Sequence, residues 1–214
     1  LSSIMRSGSQ TFGDYIWHSL WSSALAALIA VVLSLPVALL SVRYPSKLSK
    51  AISRFTQIGY AIPGVVVALS LVLLVNQFLP FLYATPLIVV MAYVLRHMPQ
   101  AIRASESALN QLSPSMEEAS RTLGRTSLQT VFQVILPLIL PGLMAGASLV
   151  FLTSLKELPA TLLLRPAGFD TLAVRVWIWA AEGFYIQAAP AALLLVLASA
   201  LPLYFLLRRE QIFK

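Results

Sequence analysis

The sequence predicts an all-α membrane protein, a polytopic bundle of about five transmembrane helices, and three observations carry that prediction. Of 214 residues, 58% are hydrophobic and 11% charged, less than half the roughly 25% charged fraction usual in soluble domains. The apolar residues fall in runs long enough for a hydrocarbon core, which takes about 20 helical residues. Lys and Arg collect in alternate gaps between those runs, as the positive-inside rule requires of a chain that crosses a membrane repeatedly.

The first run, 15–42, suits a tilted span, with Trp17 and Trp21 near one end and Tyr44 past the other as interface aromatics. Pro36 predicts a kink within it. Residues 43–54 follow, with Arg43, Lys47, Lys50 and Arg54 and no acid. A second span covers 55–79, where Ala61, Gly64 and Ala68 offer small residues for close helix packing and Pro63 precedes Gly64. The third, 82–99, is the weakest by length and continues as a helix toward Leu112, where Arg96, Arg103 and Glu106 leave the bilayer.

The fourth span, 131–155, holds Pro137 and Pro141, a spacing that predicts a bent or locally unwound start. Residues 156–183 form an extracytoplasmic segment of balanced charge, with Trp177 and Trp179 on an interfacial helix. A fifth span, 185–207, precedes Arg208, Arg209 and Lys214. Segments 43–54, 96–125 and 208–214 hold eleven of the Lys and Arg residues, and 1–14 with 156–183 hold four. The N-terminus is therefore expected outside and the C-terminus in the cytoplasm.

The longest charge-bearing interruption is 113–137, of which 113–130 is expected as a cytoplasmic loop. Ser113 or Ser115 can cap a short helix, Pro114 suits its first position, and Glu117 and Glu118 complement its positive end. Gly124 suits the left-handed residue just past its end. A helix of two to three turns is too short to stand alone in water, so it needs a partner surface. Ala119 and Ser120 would admit close approach, and Met116 and Leu123 supply apolar knobs.

The series Glu118-Ala119-Ser120, three residues, Gly124, nine residues, Val134, one residue, Leu136-Pro137 resembles the EAA loop of ABC importer permeases. Ser120 stands for the family's second Ala and Val134 for its Ile. The resemblance implies a type I importer permease fold in a bacterial inner membrane, here one transmembrane domain over 1–214. It implies that Glu117, Glu118, Ala119, Ser120, Arg121, Leu123, Gly124, Arg125, Leu136 and Pro137 couple the chain to a cytoplasmic ATPase. Arg121 and Arg125 can instead serve a solvated face or lipid headgroups. Further implied partners are an extracytoplasmic solute-binding protein, a second permease half and the surrounding lipid. Leu1-Ser2-Ser3 lacks an initiator Met, and the chain is expected to be half of a longer permease.

A second unusual run is Lys156-Glu157-Leu158-Pro159-Ala160-Thr161-Leu162, followed by Arg165-Pro166 and Phe169-Asp170-Thr171-Leu172-Ala173. Two readings of it stand. Lys156 and Glu157 mark the outer interface, or Lys156, Glu157, Pro159 and Thr161 line a pathway or gate, with Pro159 ending a broken helix beside a cavity. Both series resemble ferric-iron permeases, which implies ferric iron delivered by a periplasmic binding protein. Thiamine, molybdate or sulfate, and phosphonate permeases are the alternatives.

Several classes of chemistry are excluded. There is no cysteine, hence no disulfide or thiol chemistry. No Gly-rich phosphate loop occurs, so the chain is read as a transport subunit that binds no cofactor, ATP and Mg being used by the partner ATPase. No Ser-His-acid arrangement and no metal site is readable. His18 and His97 are expected at opposite membrane faces as interface residues, and Tyr60, Tyr83, Tyr93 and Tyr185 as interface anchors, with the lining of a polar conduit as the alternative. The net charge of +7 lies at the edges of apolar runs and not on one aromatic-laced patch, which argues against nucleic acid. An ion-gradient-driven transporter would want a midplane acid, and none of the five runs holds one.

Overall fold

The computed structural model describes residues 6, 7 and 10–212. The side chains of Lys50, Tyr60, Arg208 and Arg209, and Lys214 altogether, lie outside the described residues. A two-residue antiparallel pair, β1 (Arg6–Ser7) with β2 (Gln10–Thr11), leads into helix α1, Phe12–Arg43. Asp14 fastens the start of α1 by accepting from the Thr11 backbone N–H at 2.7 Å and from its hydroxyl at 2.9 Å.

The packing of α1 inverts the pattern of a soluble helix. Ser19, Ser22, Ala26, Ala30, Ser34 and Ala38 are buried, whereas Leu28, Val32, Leu33 and Leu40 are exposed. Lipid solvates large apolar side chains as well as a protein core does, so helices gain more by bringing small residues together. Ser19 on this face donates to the Tyr15 carbonyl and Ser34 meets Ser105 of another helix at 2.9 Å, while Ser23 Oγ is buried without a partner.

Residues 47–78 correct the second predicted span. Instead of one rod over 55–79 there are two helices, α2 (Lys47–Ala61) and α3 (Gly64–Phe78), bent by 105°. Pro63 disfavours the helical conformation at Ile62, which is extended (φ −79°, ψ 131°), and itself has no N–H to donate. Much of the expected inner loop 43–54 is thus helical, capped where Ser46 accepts from the Ser49 N–H at 3.0 Å.

After a 3₁₀ turn at Pro80–Leu82 comes α4, Pro86–Asn110, the hub of the fold. It runs parallel to α1, with Ser34 beside Ser105 and Arg43 beside Leu109 and Leu112. It runs antiparallel to α7 (Leu136–Leu155), where Gly142 and Gly146 lie against Ala108 and Ala104. Between them come α5 (Pro114–Thr122), α6 (Ser127–Thr130) and a π turn, Val131–Ile135, which joins α6 to α7 in one 29-residue helix. The proline pair therefore loosens the start of the fourth span without breaking it. Pro137 cannot donate, its ring crowds the carbonyl four residues back, and a wider turn relieves both.

The chain ends with α8 (Pro159–Leu164), α9 (Leu172–Ala181) and α10 (Tyr185–Ile212). Among the described residues, α1 and Ser127–Leu155 are long and apolar enough to cross a membrane, or three spans if the bent pair α2–α3 counts as one. Segment 156–175, read as extracytoplasmic, packs into the bundle. Ala160, Thr161, Leu164, Phe169, Asp170, Thr171 and Leu172 are all buried in the bundle.

Candidate functional site: an exposed helix and a buried ionic seam

Helix α5 carries its own start and stop signals. Ser113 accepts from the Ser115 N–H at 3.3 Å and Pro114 occupies the first position. At the other end the Gly124 N–H reaches the Arg121 carbonyl (2.9 Å) and the Arg125 N–H reaches that of Ser120 (3.3 Å), the paired bonds of a Schellman stop. Gly124 has φ +85°, a left-handed conformation that strains any residue with a Cβ.

The ten residues read as coupling residues separate into two sets. Glu117 pairs with Arg43 at 2.5 Å, and Arg43 also donates to the Leu109 and Leu112 carbonyls at 3.1 Å. Ser120, expected on the docking face, is buried and bonds Thr130 across 3.0 Å. Arg121 donates to the Tyr44 hydroxyl at 3.3 Å. Leu136 and Pro137 lie within α7, away from α5, with Leu136 packed on the cluster of Ala38, Leu109 and Ile139. Glu118, Ala119, Leu123, Gly124 and Arg125 remain exposed beside Met116, and Leu123 is 82% exposed. The internal set ties α5 to α1, α4 and α6, and the external set is available to a partner.

The second site lies where α7 breaks. Glu157, 7% exposed, stands with Oε2 3.2 Å from Arg96 Nε and 3.5 Å from His97 Nε2, while Oε1 accepts from the Ala160 N–H at 3.4 Å. One helical turn on, the Thr161 hydroxyl bonds the Glu157 carbonyl and the Tyr93 hydroxyl, each at 2.7 Å. Gly64, the first residue of α3, closes the back of the pair, since a Cβ there would stand 2.1 Å from Arg96 Nη1 and 2.9 Å from Glu157 Oε1.

This geometry overturns two expectations. Charge counting put Arg96 with the inner charges and Glu157 on the outer side, yet they touch. Arg96 is the eleventh residue of α4, about 15 Å from one end and about 21 Å from the other at the usual helical rise. The pair therefore lies midway along α4 and just past the end of α7 at Leu155. A rule that reads every charge as lying outside the bilayer fails where an acid and a base meet in a protein-lined cavity. His97 and Tyr93, expected at the interface, are buried here, whereas Tyr83 and Tyr185 are exposed as anchors should be. Lys156 is exposed and Pro159 begins α8, so of the four predicted pathway residues Glu157 and Thr161 join the buried seam.

Tyr93, Arg96, His97 and Gln100 lie three and four apart on α4, and Thr153, Glu157 and Thr161 four apart after it. Two polar stripes at helical spacing inside apolar runs were the available signal, and the antiparallel packing of α4 and α7 brings them together. In front of them is a cavity of about 470 Å³ lined by Arg96, His97, Gln100, Leu152, Thr153 and Lys156.

A third polar knot holds segment 165–175 against α1. Asp170 pairs with Arg165 and Arg175, and the Arg175 guanidinium lies over the rings of Tyr15 and Trp179, 4.8 and 5.7 Å from their centroids. Burial, and then the neighbouring Arg175, push the Arg165 guanidinium below its ordinary pKa. His18 stacks on Phe169 and approaches the Asp170 carbonyl at 3.2 Å, while Ser19 accepts from the Leu172 N–H at 2.8 Å. Trp179, expected at the interface, is buried against Tyr15, and Trp177 is half exposed.

A model of the binding-protein-dependent transport system inner membrane component family matches residues 30–209. The chain belongs to this family of ABC importer permeases. It is 39% identical over 184 residues to the Fe(3+)-transport system permease protein FbpB 2 of Haemophilus influenzae, an alignment covering 86% of this chain and 36% of that protein. It is 28% identical over 201 residues to the ferric transport system permease protein FbpB of Actinobacillus pleuropneumoniae, covering 92% and 29%. The chain thus spans about a third of the length of these relatives.

Solved structures share the fold. The inward-facing methionine ABC transporter MetNI superposes with a TM-score of 0.73 at 23% identity, over 94% of each chain. A bacterial alginate ABC transporter, in complex with an alginate pentasaccharide-bound periplasmic protein, gives 0.75 at 18% identity over 96% of this chain and 79% of that one. Membrane residence, the helical bundle and the role of a transport subunit follow from the family.

Proposed function

We propose that the chain forms part of the translocation pathway of an ATP-driven importer for ferric iron, supplied by a periplasmic binding protein and powered by a separate ATPase pair. The observation that carries this reading is α5, a self-capped nine-residue helix that, with the turn after it, exposes Met116, Glu118, Leu123 and Arg125 while its inner face is bonded to α1 and α6. A partner gripping the outer face can move α1 and α4 through Arg43, and α6 and α7 through Ser120 and Thr130. Leu136 and Pro137 then serve as the joint at the start of α7, a rigid-body switch between two accesses. The ferric assignment draws support from the names of the two relatives and from the series Lys156–Leu162 and Phe169–Ala173.

In this reading five spans cross the inner membrane, with the N-terminus outside and α5 in the cytoplasm beside a second permease half. The chain itself holds no ATP, Mg or other cofactor. Glu157 is a buried acid of the kind an ion-gradient-driven carrier would need, but it is paired with Arg96, which favours the ATP-driven reading.

The decisive experiment reconstitutes the transporter with its ATPase. Binding-protein-stimulated ATP hydrolysis and ferric uptake are expected, both lost on Gly124→Pro or Glu118→Lys. Uptake driven by a proton or sodium gradient without ATPase, or labelling of a cysteine at 124 from the outside, would end this reading.

A further inference from the structure

The cavity in front of the seam combines a basic lining with unfilled hydrogen-bonding capacity. Arg96, His97 and Lys156 line it, and its remaining polar walls are Gln100 and Thr153. Its nearest acid, Glu157, is spent: Oε2 faces Arg96 and His97, and Oε1 faces the Ala160 N–H. The seam and cavity together therefore carry Arg96 and Lys156 against Glu157, a net positive charge even with His97 neutral. Arg96 Nη1 and His97 Nδ1 are buried without a hydrogen bond, Nη1 on the side that Gly64 closes, while His97 Nε2 lies 3.5 Å from Glu157 Oε2 and the His97 side chain is 6% exposed. The Thr153 hydroxyl, whose proton has the Leu149 and Val150 carbonyls at 2.9 and 3.0 Å, lies 3.2 Å from the Gln100 amide, so Gln100 is held at the cavity wall.

Buried donors without acceptors cost free energy until something fills them. A bare metal cation cannot do so, because among the described residues no three His, Asp or Glu side chains converge to hold one. An oxyanion can, since Arg and Lys bind phosphate and carboxylate groups through charge-assisted hydrogen bonds. The lining residue Lys156 is exposed, so a lipid headgroup could supply the same chemistry, and the experiment below distinguishes the two sources.

We propose that this cavity is an oxyanion site, built by Arg96, Lys156, Gln100 and His97, for a phosphate or carboxylate group that travels with the solute. On the ferric-iron reading above, from which this part follows, the metal passes the level of Glu157 inside a negatively charged complex. The Arg96–Glu157 pair keeps Arg96 oriented, and Lys156 is the free charge that receives the anion.

The test uses the intact transporter in discs of neutral phosphatidylcholine. Equilibrium binding of radiolabelled inorganic phosphate is expected, about tenfold weaker in Lys156→Gln, abolished in Lys156→Glu and restored in Lys156→Arg. Lys156 is exposed, so these variants are expected to fold, and thermal melting checks that they do. Phosphate binding that is absent or indifferent to Lys156→Glu overturns the proposal. So does binding that phosphatidylglycerol displaces, which would assign the cavity to lipid. Ferric uptake measured in parallel separates the two readings: Lys156-dependent phosphate binding without iron transport leaves the site standing and removes iron. Iron transport without Lys156-dependent binding does the reverse.

Discussion

Helix α5 and the Glu157 seam are both polar interruptions in an apolar chain, and they satisfy their polar groups in opposite ways. α5 closes its own ends with Ser113 and Gly124 and leaves an apolar knob, Leu123, 82% exposed. The seam resolves its charges by mutual pairing between α4 and the break after α7, with Gly64 of α3 closing against them. Substitutions on the outer face of α5 should therefore damage coupling while sparing stability, and substitutions in the seam should damage stability first.

The largest expected effect is Glu157→Ala. Removing one partner of a buried pair costs about 3–5 kcal/mol; Arg96 remains 24% exposed, so a value near the low end is expected, read as a fall in melting temperature of the purified transporter. The double variant Arg96→Met with Glu157→Leu should regain most of that loss, because apolar replacement of a whole pair is often neutral. A double variant no better than the single would show that the ion pair itself holds the break together.

Gly64→Ala comes next. Its Cβ would meet Arg96 Nη1 at 2.1 Å, and overpacking of this kind costs about 1–3 kcal/mol. Combined with Arg96→Ala the penalty should largely vanish, which sharpens the claim that Gly64 exists to admit the guanidinium.

Gly124→Ala should cost about 1–2 kcal/mol through the left-handed backbone alone, since nothing lies within 4 Å of the added Cβ. Local opening of α5 measured by amide exchange reports it. The smallest effect on stability belongs to Leu123→Ser, within about 0.5 kcal/mol as for most exposed positions, yet ATPase stimulation should fall severalfold. Equal loss of stability and coupling in this variant would erase the contrast between the two regions.

Much of this was legible in the residues themselves. Ser113, Pro114 and Gly124 specify a short helix by local hydrogen bonding and backbone preference, which neighbours in sequence decide. Pro137 announced a distorted helix start for the same reason. The outward face of α1 was readable too, because lipid solvation asks only for apolar residues at one helical spacing. Gly64, by contrast, looked like an ordinary small packing residue until Arg96 was found pressed against it.

Sequence alone determined that the chain is a helical membrane permease component, and where its exposed helix α5 begins and ends, since length, hydropathy and local caps act within a few residues. Only the tertiary structure decided that a bend of 105° separates α2 from α3, that Glu117 and Ser120 face inward, and that Arg96 and Glu157 meet. Those facts depend on which helices lie side by side. An ion pair between residues 61 positions apart forms because antiparallel packing of α4 and α7 matches two polar stripes, and no local preference records that match.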